Sequence, residues 1–155
     1  MYSDNAKKFI TVLNEKFPIG VIVNAVGHLT TGFVSKLTDP TAAEFLDYRG
    51  ADGITQANIS KWPFIVLAAR NGNQIRTLRQ SLLGAGLPAA AFSRQMIGES
   101  AEAQMAAVAG VPEGELEYIG LVTFGESQIL DGLVKKFSLF RGSKAAESGA
   151  PSEQP

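Results

Sequence analysis

Lys8-Phe-Ile-Thr-Val-Leu-Asn14, followed after Glu15 and Lys16 by Phe17-Pro-Ile-Gly-Val-Ile-Val-Asn-Ala-Val-Gly-His-Leu-Thr-Thr-Gly-Phe-Val-Ser35, is the stretch on which the fold turns. Its first part is apolar and β-branched, and predicts a short strand over Phe9 to Leu13. Pro18 then suits the first turn of a helix, where a missing N–H costs nothing. Read at helical period, Ile22, Val26, Leu29 and Phe33 make one apolar stripe, with Asn24, His28, Thr31 and Ser35 on the opposite side. The nineteen residues from Phe17 to Ser35 contain no Asp, Glu, Lys or Arg. A helix back that meets only water normally carries charge, so a neutral polar face predicts cover by the rest of the fold, a ligand or a second subunit.

Working outward, Phe64-Ile-Val-Leu-Ala-Ala69 is a continuous apolar run, the pattern of a central strand buried on both faces. Asn73 to Leu83 repeats Ile75, Leu78 and Leu82 at helical spacing and ends at Gly84 and Gly86. Leu87 to Ser93 reads as a third strand. Ser100 caps an alanine-rich helix over Ala101 to Ala109, expected to be a lightly packed insertion. Tyr118 to Phe124 is a fourth buried strand, followed from Gly125 by a helix with Ile129, Leu130, Leu133, Val134 and Phe137 on one face. Phe45 to Tyr48 reads as a small edge strand before the turn Gly50-Ala-Asp-Gly53. This order predicts an α/β fold, a three-layer α/β/α arrangement with a mainly parallel or mixed four-stranded sheet. The direction of the fourth strand relative to the third is open. Residues 1–142 form one domain, and 143–155 a disordered polar tail.

The totals exclude several function classes. The chain has 155 residues, a formal net charge of −1 and no cysteine. Removing the tail, with Lys144, Glu147 and Glu153, leaves thirteen basic and thirteen acidic residues. No electrostatic funnel for nucleic acid is expected, and Arg70, Arg76 and Arg79 read as a solvated helix face. Without cysteine there are no disulfides, thiolate nucleophiles or cysteinyl zinc sites, which fits a cytoplasmic location. The polar start is neither a signal peptide nor an anchor, and Asn24, His28 and the hydroxyls of the first helix are costly in a bilayer, so no membrane association is expected. Gly-rich phosphate loops and a nucleophile elbow are absent. One histidine and scattered carboxylates predict no metal and no cofactor.

Lys8-Phe-Ile-Thr-Val-Leu, Gly20-Val-Ile-Val-Asn-Ala-Val-Gly-His28, the Leu87 to Ser93 strand and Tyr118 to Phe124 with the terminal helix together resemble the peptidyl-tRNA hydrolase II fold. The Asn24-Ala25, His28-Leu29 and Gly32 pattern, with Asp52-Gly53 and Trp62, is similar to an uncharacterised bacterial family of that fold, known only as a domain of unknown function. The resemblance covers about Lys8 to Phe140. It implies a lysine early in the first helix, a following glutamine, and an aspartate ending the third strand. Those places are held by Val21, by Ala25, and by Ser93, Arg94 and Gln95. Only the helix histidine, His28, is retained, so the architecture is implied without the hydrolytic chemistry.

His28 is the one side chain that ordinarily titrates near neutral pH, and Asn24 and Thr31, one turn away on either side, are placed to orient it. Asp52 sits where aspartate commonly bonds its own turn, and becomes a catalytic partner if its loop folds across the first helix. Ser93, Arg94 and Met96 end a strand at the carboxyl edge of the sheet, where pockets form. Glu126, after Phe124-Gly125, reads as the carboxylate cap of the last helix. Three functions fit: binding of a small polar ligand between the Asn24, His28 and Thr31 face, the Asp52 loop and the strand end at Ser93, Arg94 and Met96; a peptidyl-tRNA or aminoacyl-ester hydrolase with a rearranged site built on His28 and Asp52; and a non-catalytic homo-oligomer formed through the uncharged helix.

Overall fold

Alternation along the first strand divides the molecule. In β1 (Lys7–Asn14) Ile10 and Val12 enter one hydrophobic core, and Phe9 and Leu13 the other. The computed structural model describes residues 3–146. Helix α1 (Ile19–Ser35) covers the Phe9 side with Ile22, Ala25, Leu29 and Phe33. Each large side chain buried there contributes roughly 1.5–3 kcal/mol, which holds the helix despite its five polar positions. On the other side lie α2 (Gly72–Gly84), through Ile75, Leu78 and Leu82, and α4 (Ser127–Val134), through Leu130 and Val134. The expected α/β arrangement, with helices on both faces of a mixed sheet, is therefore present.

Among the described residues the sheet has five strands. Besides β1 it contains β4 (Phe64–Ala69), β5 (Ala89–Ser93), β6 (Tyr118–Glu126) and the two-residue β7 (Ser138–Leu139), in the order β5-β6-β1-β4-β7. Only β1 and β4 are parallel neighbours; β6 runs antiparallel to β1 and to β5, and β7 antiparallel to β4. This settles the open direction of the fourth predicted strand and adds a fifth, since Ser138-Leu139 is too short to carry a period. The central position belongs to β1. The apolar run Phe64 to Ala69 lies one place out, with Phe64 exposed at its start. Phe9 bridges the register, its ring 5.9 Å from Phe64 and 4.3 Å from Phe124.

Phe45 to Tyr48 is not an edge of this sheet. It belongs to β2 (Phe45–Arg49), which pairs antiparallel with β3 (Thr55–Ser60) as a separate hairpin. The strand Thr-Gln-Ala-Asn-Ile-Ser has too few apolar residues to signal itself. The α1 stripe also differs by one position, with Ala25 buried and Val26 only half-buried. Glu126 occupies the N-cap of α4 but its side chain makes no bond to the helix, so the expected carboxylate cap is not formed. Helix α3 (Ala101–Ala109) is capped by Ser100, which accepts from the Ala103 N–H, and buries none of its residues.

One residue departs from expectation. Arg76 is not solvated: it donates to the carbonyls of Leu116 at 2.6 Å and Glu113 at 3.4 Å, clamping the β5–β6 connection onto α2. At the start of the expected tail the Ser143 hydroxyl donates to the Phe17 carbonyl and the Lys144 N–H to the Glu15 carbonyl at 2.7 Å. The remainder of that predicted disordered tail, 147–155, lies outside the described residues.

Candidate functional site

The hydroxyls of α1 satisfy themselves. Thr31 Oγ1 donates to the Gly27 carbonyl at 2.7 Å, Thr30 to Val26 at 2.8 Å and Ser35 to Gly32 at 2.7 Å. Back-bonding of this kind removes the need for cover that a neutral polar face implies. Asn24 and Thr31 are exposed, and neither lines the two hollows beside His28. The imidazole thus has no shared wall with the amide and hydroxyl one turn away.

His28 has different company. Its ring lies on that of Phe92 from β5, centroids 5.9 Å apart and planes within 15° of parallel. Phe92 is buried, so it fixes the plane on which the imidazole rests. Neither ring nitrogen of His28 has a protein hydrogen-bond partner among the described residues. Two hollows meet at His28, Phe92 and Met96. One, about 470 Å³, runs toward α3 and is completed by Gln104, Met105, Val108 and Ala109. The other, about 510 Å³, runs along α1 past Gly32 and Ser35 to Leu83 and Pro88. Both fall in the size range of small-molecule sites.

Arg94 faces elsewhere. A 3₁₀ turn at Arg94–Met96 splits the end of β5, sending Met96 to the His28 cleft and Arg94 to a cavity of about 460 Å³ at the carboxyl ends of β1 and β4. That cavity also takes Asn14, Lys16, Asn71, Arg76, Glu115, Glu117 and Tyr118. Two of its cations are held: Arg94 lies 3.7 Å from Glu117 and over the Phe17 ring, and Arg76 is fixed by its clamp. The buried amide of Asn14 donates to the Tyr118 carbonyl at 3.1 Å and accepts from the Lys16 N–H, so it builds the turn between β1 and α1.

Ser93 is fully buried, and its Oγ has no hydrogen-bond partner among the described residues. Asp52 accepts from the Ile54 N–H at 3.0 Å within the β2–β3 turn, where Gly53 takes φ +80°. It shares no cavity, hydrogen bond or ion pair with His28 among the described residues. Of the residues singled out in the sequence, the fold thus joins His28 and Met96 and separates Asn24, Thr31, Ser93, Arg94 and Asp52 from them. Sequence reasoning missed Phe92 and Met105. Phe92 reads as core in its strand, and Met105 belongs to a helix with no apolar period to direct it.

No group of three or more His, Cys, Asp or Glu able to hold a metal occurs among the described residues. No helix among them is long and apolar enough to cross a membrane. Burial of Tyr118, then its hydrogen bond to Glu113 Oε1 at 3.0 Å and that carboxylate's charge, push the phenol above its ordinary value.

Comparison with solved structures finds a protein of unknown function from Agrobacterium tumefaciens strain C58, with a TM-score of 0.75 and 17% identity over 88% of this chain and 98% of that one. At that identity the likeness is one of fold. Comparison with curated proteins finds no match. A family model described as a protein of unknown function, DUF2000, matches residues 7–141, which is nearly all of the described body. The chain belongs to the DUF2000 family.

Proposed function

We infer that this chain is a small-ligand-binding domain whose ligand lies in the cleft between α1 and α3, its apolar body against Phe92, Met96 and Met105 and a polar group at His28. The observation that carries this reading is the His28–Phe92 stack, in which the imidazole is oriented by a buried ring while both nitrogens remain available. One of these donates and the other accepts in the neutral form, so the polar group can be an amide, a carboxylate or a hydroxyl. Methionine side chains on the opposing walls adapt to an irregular apolar shape.

The peptidyl-tRNA hydrolase II architecture belongs to the same proposal, supported by the helix-covered mixed sheet and the histidine on its first helix. Binding is favoured over ester hydrolysis. Val21 and Ala25 supply no cation or amide, no carboxylate stands at Ser93 to Gln95, and Asp52 is occupied in its own turn.

Methionine-methyl NMR tests the reading, because the chain has three methionines and two of them, Met96 and Met105, line the cleft. Titration with indole and with benzoate is expected to move both methyl signals together. His28→Ala should weaken the tighter of the two about fivefold, the loss of one hydrogen bond. Shifts confined to other regions, or an affinity untouched by His28→Ala, would overturn it.

A further inference from the structure

Among the described residues, strands β2 and β3 form a sheet of two, and each pairs with no other strand. Every residue of β2 is exposed, including Leu46 and Tyr48, and among the described residues no backbone group of Phe45 to Arg49 bonds outside the hairpin. Two strands alone are marginally stable in water, and a free, flat, partly apolar edge is a template for another strand. The two edges differ. In β3 a bulge intervenes, since Tyr48 pairs with Ala57 and Arg49 with Thr55, leaving Gln56 unmatched. A bulge spoils further pairing. The run Phe45-Leu-Asp-Tyr-Arg49 has no bulge, proline or lysine to blunt it.

The charges of β2 choose a register. A twofold axis normal to an antiparallel sheet places one residue opposite its own copy. Centred on Asp47, it would oppose two like carboxylates. Centred on Tyr48, it sets Asp47 against Arg49 of the second copy twice over, on one face, with Tyr48 against Tyr48 and Leu46 beside it on the other. Within the single chain Asp47 accepts from Arg49 at 3.1 Å and from the Asn58 amide, and the Asp47 and Arg49 side chains stay 48% and 60% exposed, so a second copy can reach both. We propose that the chain self-associates through β2, antiparallel to β2 of a second copy about a twofold axis at Tyr48, making one four-stranded sheet from two hairpins.

The absence of cysteine makes the test clean. Directly opposed residues in an antiparallel pair have Cα atoms about 4.5–5.5 Å apart, within reach of a disulfide. Tyr48→Cys should therefore become a covalent dimer on mild oxidation, while Asn73→Cys on exposed α2 should not. Sedimentation equilibrium of the unaltered chain should show a dimer. Asp47→Arg or Arg49→Asp alone should raise its dissociation constant roughly tenfold, and the two together should restore it. A chain that stays monomeric at about 100 µM overturns the proposal. So does a dimer indifferent to both charge reversals, which would locate the contact elsewhere, for instance on the uncharged face of α1.

Discussion

The imidazole of His28 and the phenyl ring of Phe92 lie flat against each other, centroids 5.9 Å apart, although one residue is exposed on α1 and the other is buried in β5. Their roles are unequal for that reason. Phe92→Ala opens a cavity in the core beneath α1 and should cost about 3–5 kcal/mol in urea unfolding. His28→Ala, at an exposed position without hydrogen bonds, should change stability by about 0.5 kcal/mol or less. A large loss for His28→Ala would mean that its role is structural, not the binding of a ligand.

Tyr118 predicts an alkaline loss of stability. Its buried phenol is held neutral, first by burial and then by Glu113, so its folded pKa lies above the unfolded value of 10.0. The stabilisation is fully present below pH 10 and disappears as pH rises through the folded value, because the unfolded chain releases its proton first. The urea midpoint of the unaltered protein should fall more steeply above pH 10 than that of Tyr118→Phe. Equal slopes would show the phenol to be unperturbed.

Gly72 begins α2 directly over β6. A Cβ there would meet the Tyr118 backbone nitrogen at 3.2 Å and its carbonyl oxygen at 3.3 Å, atoms fixed in the sheet. Gly72→Ala should destabilise by about 1–3 kcal/mol. Gly84, at the other end of the same helix, has nothing within 4 Å of a built Cβ, so Gly84→Ala should stabilise by about 0.5–1 kcal/mol. Thermal denaturation of the pair checks both signs.

Ser93 buries a hydroxyl without a partner among the described residues. Removing such a group relieves its desolvation, so Ser93→Ala should leave stability unchanged or raise it by up to about 1 kcal/mol. A loss of more than about 1 kcal/mol in chemical denaturation would indicate that the hydroxyl is bonded in solution.

Much of the fold was legible where one period ran uninterrupted. Ile22, Leu29 and Phe33 marked the buried side of α1, Ile75, Leu78 and Leu82 that of α2, and the apolar runs at Phe9 and Tyr118 two buried strands, while the run at Phe64 marked a strand that is only partly buried because it lies one place from the centre. Reading failed where structure is held by few residues or by polar ones. Ser138-Leu139 is too short for any pattern, Thr55 to Ser60 too polar, and Arg76 resembles a surface arginine until the carbonyls of Glu113 and Leu116 are brought to it.

The candidate site was legible only as a residue type. His28 stood out as the one histidine, but its neighbours along the helix turned out to bond their own backbone or face solvent, because a helix places side chains one turn apart without placing anything opposite them. What the residue order alone determined was which faces are apolar, since periodicity is a local consequence of backbone geometry. Which strand lies beside which, that Phe92 lies on His28, that Arg94 and Met96 part company at the end of β5, and that Asp52 stays in its own turn were decided by tertiary packing, in which residues far apart in sequence compete for the same buried space.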